Sequence, residues 1–250
     1  MSATLSKIVR HPIKAVGRDE LPSVALKAGQ WMPFDRLWAV SHEKSKLTED
    51  GWARKANFLR GVTDPQLMAV SAKFDPMLKE ITLRHPKFDE VTVRPNDPED
   101  TEELVDWLRR IWPDDLPAPT GIYRATNAHL TDVPDPWISI NATASLDALS
   151  ALAGQSLSPH RFRGNLWIDG LDAWQEKGWV GKTLKVGDAA LAVREEITRC
   201  KATMANPETG KRDVDTLDLL SELGHMEFGV YAEVVDGGDI SLGDPVTIAS

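Results

Sequence analysis

Cys200 is the only cysteine in the chain, and it stands between cations in Thr198-Arg199-Cys200-Lys201. A thiolate is both a nucleophile and a soft metal ligand, and nearby positive charge stabilises it. The plainer reading of a lone cysteine is a small buried hydrophobe, and the local sequence by itself favours it. In a regular strand Arg199 and Lys201 would point away from the face that carries Cys200. A second group of residues is basic. Lys14 follows the proline-stiffened run His11-Pro12-Ile13, and Arg36 opens an apolar segment, where a cation is costly unless partnered. Arg54, Lys55, Arg161 and Arg163 add to these, with Asn165 close behind. Arginine forks match phosphates and planar polar rings through paired hydrogen bonds. Taken singly, each of these residues reads as solvated surface charge. Gathered in one cleft they would form an anion site, and spacing along the chain does not show such a gathering.

Other chemistries find no support. The six histidines (His11, His42, His85, His129, His160, His225) never stand four apart, and HExxH is absent. There is no GxGxxG after a strand, no GxxxxGK[ST] loop and no GxSxG elbow. A single cysteine excludes an intrachain disulfide and an iron–sulfur cluster of the usual all-cysteine type, and it points to a reducing compartment. The net charge of −9 argues against non-specific nucleic-acid binding, which needs a basic footprint. Met1 to Lys14 contains no continuous apolar run, so no signal peptide is expected. No stretch approaches the roughly 20 apolar residues that cross a bilayer. The expectation is a cytoplasmic protein with neither nucleic acid nor membrane as partner.

The elements that must position these residues read mostly as short strands. With 42% hydrophobic and 27% charged residues, the 250-residue chain has an ordinary globular balance, enough for one large domain or two sharing a core. Strands are expected over residues 6–10 and 36–41, then a meander over 67–74, 80–84 and 91–94 with Asp75-Pro76 and His85-Pro86 at its turns. Asp97-Pro98 and the acids after it announce a helix, with Leu104, Val105, Leu108, Ile111 and Trp112 on one face and Pro113 as its stop. The polar, proline-containing stretch 114–120 separates two halves, 1–118 and 119–250. The second half contains a helix over 145–153 with Ser145 as cap and Gly154 beyond its end, and another over 215–223. Strands are expected there over 165–168, 183–186, 190–195, 227–235 and 246–249. Strands outnumber helices and lack βαβ alternation, so the fold class is mainly β (α+β), antiparallel and barrel-like with a few covering helices.

Together these segments resemble the MOSC family, named for the C-terminal domain of molybdenum cofactor sulfurases. Arg10-His11-Pro12-Ile13-Lys14-Ala15-Val16-Gly17 is similar to the family's opening YPIKS-type segment. Phe34-Asp35-Arg36-Leu37-Trp38-Ala39-Val40 resembles its DRxW strand, and Trp52-Ala53-Arg54-Lys55 its TxRQ-type segment. Further on, Phe162-Arg163-Gly164-Asn165-Leu166-Trp167-Ile168 resembles the FRxN segment. Thr198-Arg199-Cys200 with Asn206-Pro207-Glu208-Thr209-Gly210 resembles the cofactor cysteine and its DPxTG tail, and Gly243-Asp244-Pro245-Val246 the closing strand. Ala15 stands where relatives often have serine, and Asn206 where they have an acid.

The resemblance implies an N-terminal β-barrel domain over 1–118 and a MOSC domain over 119–250. It implies a molybdenum cofactor, with the metal held by the dithiolene of molybdopterin and by the thiolate of Cys200, which is then metal ligand and catalytic residue. Lys14, Arg36, Arg54, Arg163 and Asn165 would bind the cofactor's phosphate and pterin. Relatives resembling the amidoxime-reducing component are oxidoreductases that reduce N-hydroxylated small molecules. The chain ends without a ferredoxin-like extension, so electrons are expected from a separate ferredoxin-, flavin- or cytochrome-type donor protein. The alternative is a sulfur carrier or sulfurtransferase in which Cys200 holds a persulfide.

Overall fold

The computed structural model describes residues 3–47 and 51–249. The chain opens with β1 (Thr4–Arg10), β2 (Asp19–Leu21), β3 (Ser23–Leu26) and β4 (Trp38–His42). The expected meander follows as β5 (Ser71–Asp75), β6 (Glu80–His85) and β7 (Phe88–Val93), paired in that order. It begins later than expected. Residues 67–69 belong to a 3-10 turn, Pro65–Ala69, because the Asp64 side chain accepts from the Gln66 N–H and Pro65 fixes the first position. Helix α1 (Pro98–Arg109) starts where its cap predicts, with Asp97 accepting from the Glu99 N–H and Leu104, Trp107 and Leu108 buried.

Next come β8 (Pro119–Arg124), β9 (Trp137–Ala142) and α2 (Thr143–Ala153). Helix α2 closes on Gly154 at φ 65, as its sequence requires, but Ser145 is not its cap. The Ser145 hydroxyl instead donates to Glu176 (2.8 Å) and accepts from the Trp174 N–H (2.7 Å). The remaining elements are β10 (Leu166–Asp169), β11 (Thr183–Val186), β12 (Ala189–Thr198), β13 (Ala205–Asn206), β14 (Lys211–Arg212), α3 (Thr216–Glu222), β15 (Glu227–Asp236), β16 (Gly238–Ser241) and β17 (Val246–Ile248).

Eight strands form the principal sheet in the order β17-β11-β12-β15-β9-β10-β1-β2. All its pairs are antiparallel except β9 with β10. The fold is therefore mainly β with three α-helices among the described residues, as expected, but the barrel is not closed. A bridge from Thr4 to Pro245 and backbone hydrogen bonds of Leu5 with Gly243 and Asp244 and of Val246 with Ala3 bring β1 beside the start of β17, but among the described residues no strand ladder joins them. Pairing crosses between the two halves of the chain: β1 pairs with β10, and β3 with β16. One apolar core packs on the principal sheet, with Leu5, Ile8, Ile140, Leu166, Leu191 and Val230 fully or almost fully buried. A second fills the space between the meander and α1 around Leu83, Val93, Leu104 and Trp107. Burying each such side chain contributes about 1.5–3 kcal/mol, and these two cores fix the edges between which the functional residues stand.

Candidate functional site

A cleft of about 500 Å³ is lined by Lys14, Arg36, Arg163, Asn165 and Cys200, which come from segments far apart in sequence. Arg54 is not among the lining residues. It is exposed at the start of a short 3-10 turn, and its neighbour Lys55 reaches the cleft instead.

Arg36 lies outside the strand expected for it. Its backbone sits at φ 49 and β4 begins two residues later. Its guanidinium pairs with the buried carboxylate of Asp35 and donates to the Arg163 carbonyl at 2.7 Å. Burial acts to raise the Asp35 pKa, but Arg36 and His11 more than offset it and hold the carboxyl well below the usual range. Lys14, only 6% exposed, donates to the Leu130 carbonyl (2.8 Å) and to Asp132 (2.6 Å). Burial lowers the Lys14 pKa against the pull of Asp132. Burial likewise acts to raise Asp132, yet Lys14, helped by Lys55 and Arg36, holds it down to about 2. Arg163 is brought down to about 9, by burial first and the charge of Arg36 second. Three basic side chains thus stand together on one wall of an otherwise acidic protein, an arrangement that favours an anion.

The backbone bears out the same pressure. Ala15, Arg36 and Arg163 adopt positive φ (62, 49 and 48), a conformation costing roughly 1–2 kcal/mol for each non-glycine residue. All three line the cleft. Strain of this kind persists only where surrounding contacts over-determine it, and it gathers at ligand clamps. Asn165 supplies some of those contacts. Its side-chain oxygen accepts from the Ser139 N–H (3.2 Å) and hydroxyl (2.8 Å), and its amide donates to the Val9 carbonyl (3.1 Å). Asn165 is thus a strut joining β1, β9 and the turn before β10.

Cys200 follows the end of β12 with its thiol exposed. Regular alternation would send Arg199 to the opposite face, but β12 is irregular and both residues line the cleft. The Arg199 guanidinium donates to the carbonyls of Phe228 (2.8 Å) and Phe162 (2.9 Å) and to the Asn141 side-chain oxygen (3.0 Å), and it lies over the Phe162 ring at 5.4 Å. It pins the backbone directly before the thiol. The sequence marks Arg199 only as a flanking charge and Asp35 only as part of the DRxW-like segment, and it gives no sign of Asp132. The adjacency of Asp35 to Arg36 was the one local signal. Among the described residues no three His, Cys, Asp or Glu side chains converge to cage a metal ion, and no helix is long and apolar enough to cross a membrane.

Residues 127–247 match the MOSC domain. Molybdenum cofactor sulfurase 2 of Culex quinquefasciatus is 26% identical over 137 residues, which are 52% of this chain and 17% of that protein. Mitochondrial amidoxime reducing component 2 of Homo sapiens is 30% identical over 120 residues, 43% of this chain and 35% of that protein. The match therefore spans well under half the length of either relative. Among solved structures, the YUAD protein from Bacillus subtilis has 12% identity and a TM-score of 0.49, covering 98% of this chain and 94% of its own. YiiM from Geobacillus stearothermophilus has 18% identity and a TM-score of 0.37, covering 45% and 54%. The matched stretch contains Asp132, Arg163, Asn165 and Cys200, whereas Lys14 and Arg36 come from outside it. This chain carries a MOSC domain over residues 127–247.

Proposed function

We propose that this chain binds a molybdenum cofactor in the cleft and works as an oxidoreductase on N–O bonds of small N-hydroxylated molecules, with electrons from a separate donor protein. The observation that carries the reading is the meeting of Lys14, Arg36 and Arg163 with an exposed thiol in one cleft. The donor set fits such a group. Three cations with only Asp35 and Asp132 beside them suit a phosphate. A metal that arrives with sulfur ligands of its own asks for one soft protein ligand, and Cys200 is that type. Ala15 offers no hydroxyl where relatives have serine, so one hydrogen bond to the cofactor is lacking.

When bound, the cofactor supplies a two-electron reduction centre. The chain's own residues do the rest. Lys14, Arg36 and Arg163 hold the anionic end, while Asp35 and Asn165 keep Arg36 aimed. Cys200 is the metal ligand, and Arg199 fixes the backbone that presents it. The lone cysteine favours a reducing compartment such as the cytoplasm. The exposed thiol also suits the second reading, a persulfide carrier, but a carrier has no use for the strained cationic wall. Metal analysis by mass spectrometry, on protein from a host that makes the cofactor, tests the choice. About one molybdenum per chain is expected. A metal-free chain with a persulfide on Cys200 would overturn the reading in favour of sulfur transfer.

A further inference from the structure

Arg199 holds the chain before the thiol, and a pair of hydroxyls holds the chain after it. Residues Lys201–Met204 form a 3-10 turn directly behind Cys200. The Cys200 carbonyl accepts from the Thr203 N–H (3.1 Å) and from the Thr203 hydroxyl (3.0 Å). The hydroxyl oxygens of Thr203 and Thr216 are 2.6 Å apart. A threonine hydroxyl carries one proton. With the Thr203 proton given to the carbonyl, the proton between the two threonines comes from Thr216. The relay therefore runs from Thr216 to Thr203 to the Cys200 carbonyl, and each hydroxyl donates once.

Thr203 lines the cleft but is only 4% exposed, and Thr216 is fully buried. Thr216 is the first residue of α3, which is firmly seated. The Asp215 side chain caps that helix by accepting from the N–H groups of Leu217 (3.2 Å) and Asp218 (3.0 Å), and Leu220 packs in a buried apolar cluster with Leu149 and Phe228. Arg161 ties the far end of the 3-10 turn. Its guanidinium donates to the Met204 carbonyl (3.1 Å) and pairs with Asp213 (2.6 Å). The relay thus connects a packed helix to the backbone of one residue whose own side chain is exposed. Two valines would fill the space of the hydroxyl pair at little cost. They would not hold the carbonyl.

We propose that Thr203, backed by Thr216, is a positioning residue that fixes the carbonyl side of Cys200 and so keeps the exposed thiol presented to the cleft. That the thiol receives a metal there rests on the function proposed above, whereas the anchoring does not. Three variants of the full chain separate anchoring from packing. Thr203→Val leaves the buried Thr216 proton without its acceptor, so the urea midpoint should fall. Thr203→Val combined with Thr216→Val removes both hydroxyls at matched shape and should restore most of the midpoint. Thr203→Ser keeps the hydroxyl. Iodoacetamide alkylation of the single thiol, at neutral pH and without metal, should change in rate by about three- to ten-fold in Thr203→Val and by the same factor in the double variant, since both lose one hydrogen bond to the carbonyl. Thr203→Ser should react at the wild-type rate. The molybdenum content of protein from a host that makes the cofactor should fall in the two valine variants and hold in the serine variant, following thiol reactivity and not the urea midpoint. A double variant with wild-type thiol reactivity, or reactivity that tracks stability across all three variants, would overturn the proposal. A chain that holds no molybdenum but shows the alkylation pattern would sink the proposed reaction and leave the anchoring standing.

Discussion

Arg163 meets two demands at once: its guanidinium is buried near the like charge of Arg36, and its backbone is held at φ 48. An anion on that wall relieves the first and explains why the second is tolerated. Arg163→Ala should therefore lower molybdenum content to less than about half of wild type, because a phosphate loses a charge-assisted partner worth ~1.5–3 kcal/mol. The fold should survive, since no apolar core is touched, and the far-UV spectrum and melting temperature check this. Cys200→Ser separates ligand from packing residue. The hydroxyl stays protonated at neutral pH and is a poor soft ligand. Reduction of an N-hydroxylated test compound with an artificial electron donor should fall to background, while the exposed position leaves stability within about 0.5 kcal/mol of wild type. Full activity with an unchanged molybdenum X-ray absorption spectrum would make Cys200 a bystander.

At the scale of elements, the junction of β9, β12 and β15 presents the thiol. Asn141 on β9 is fully buried, and its oxygen accepts from Arg199. Two glycines make room for it. A Cβ at Gly164 would come 1.6 Å from the Asn141 amide nitrogen. One at Gly229, where φ is +75, would come 2.1 Å from its oxygen and 2.6 Å from the Ile140 carbonyl. Gly229→Ala adds left-handed strain to overpacking, at roughly 1–3 kcal/mol for each, so a loss of at least about 2 kcal/mol is expected in urea unfolding. The same change should loosen Arg199 and alter the rate at which iodoacetamide alkylates Cys200, a clean measurement in a chain with one thiol. Gly164 was visible within its FRxN-like segment. Gly229 was not, because its need arises from a neighbour on another strand.

For the whole molecule, pH dependence follows from buried groups. His11, His85, His129 and His160 all have pKa values below the ordinary histidine value, with burial the leading cause in each. The unfolded chain takes up protons below about pH 6.5 that the folded chain refuses, so stability should fall as pH drops through that range. Asp35 and Asp132 add stability that is present above the usual carboxylate range and lost as pH falls toward their lower folded values, about 2 for Asp132. Glu176, raised by burial, works the other way and favours the folded state once protonated. The melting temperature should accordingly decline from pH 7 to pH 5, and a flat profile would contradict the histidine assignment. Because β1 pairs with β10 and β3 with β16, we expect limited proteolysis near 118–119 to yield no two separately folded fragments. Helix α1 and the meander were legible in the sequence because cap, turn and period act within a few residues. The types of residue in the cleft, Cys200 among them, were legible through family resemblance. Only the tertiary structure decided that Lys14, Arg36 and Arg163 meet, that Lys55 rather than Arg54 reaches the cleft, and that the principal sheet stays open. Those outcomes depend on strand register and on packing between segments distant in sequence, where local propensity has no say.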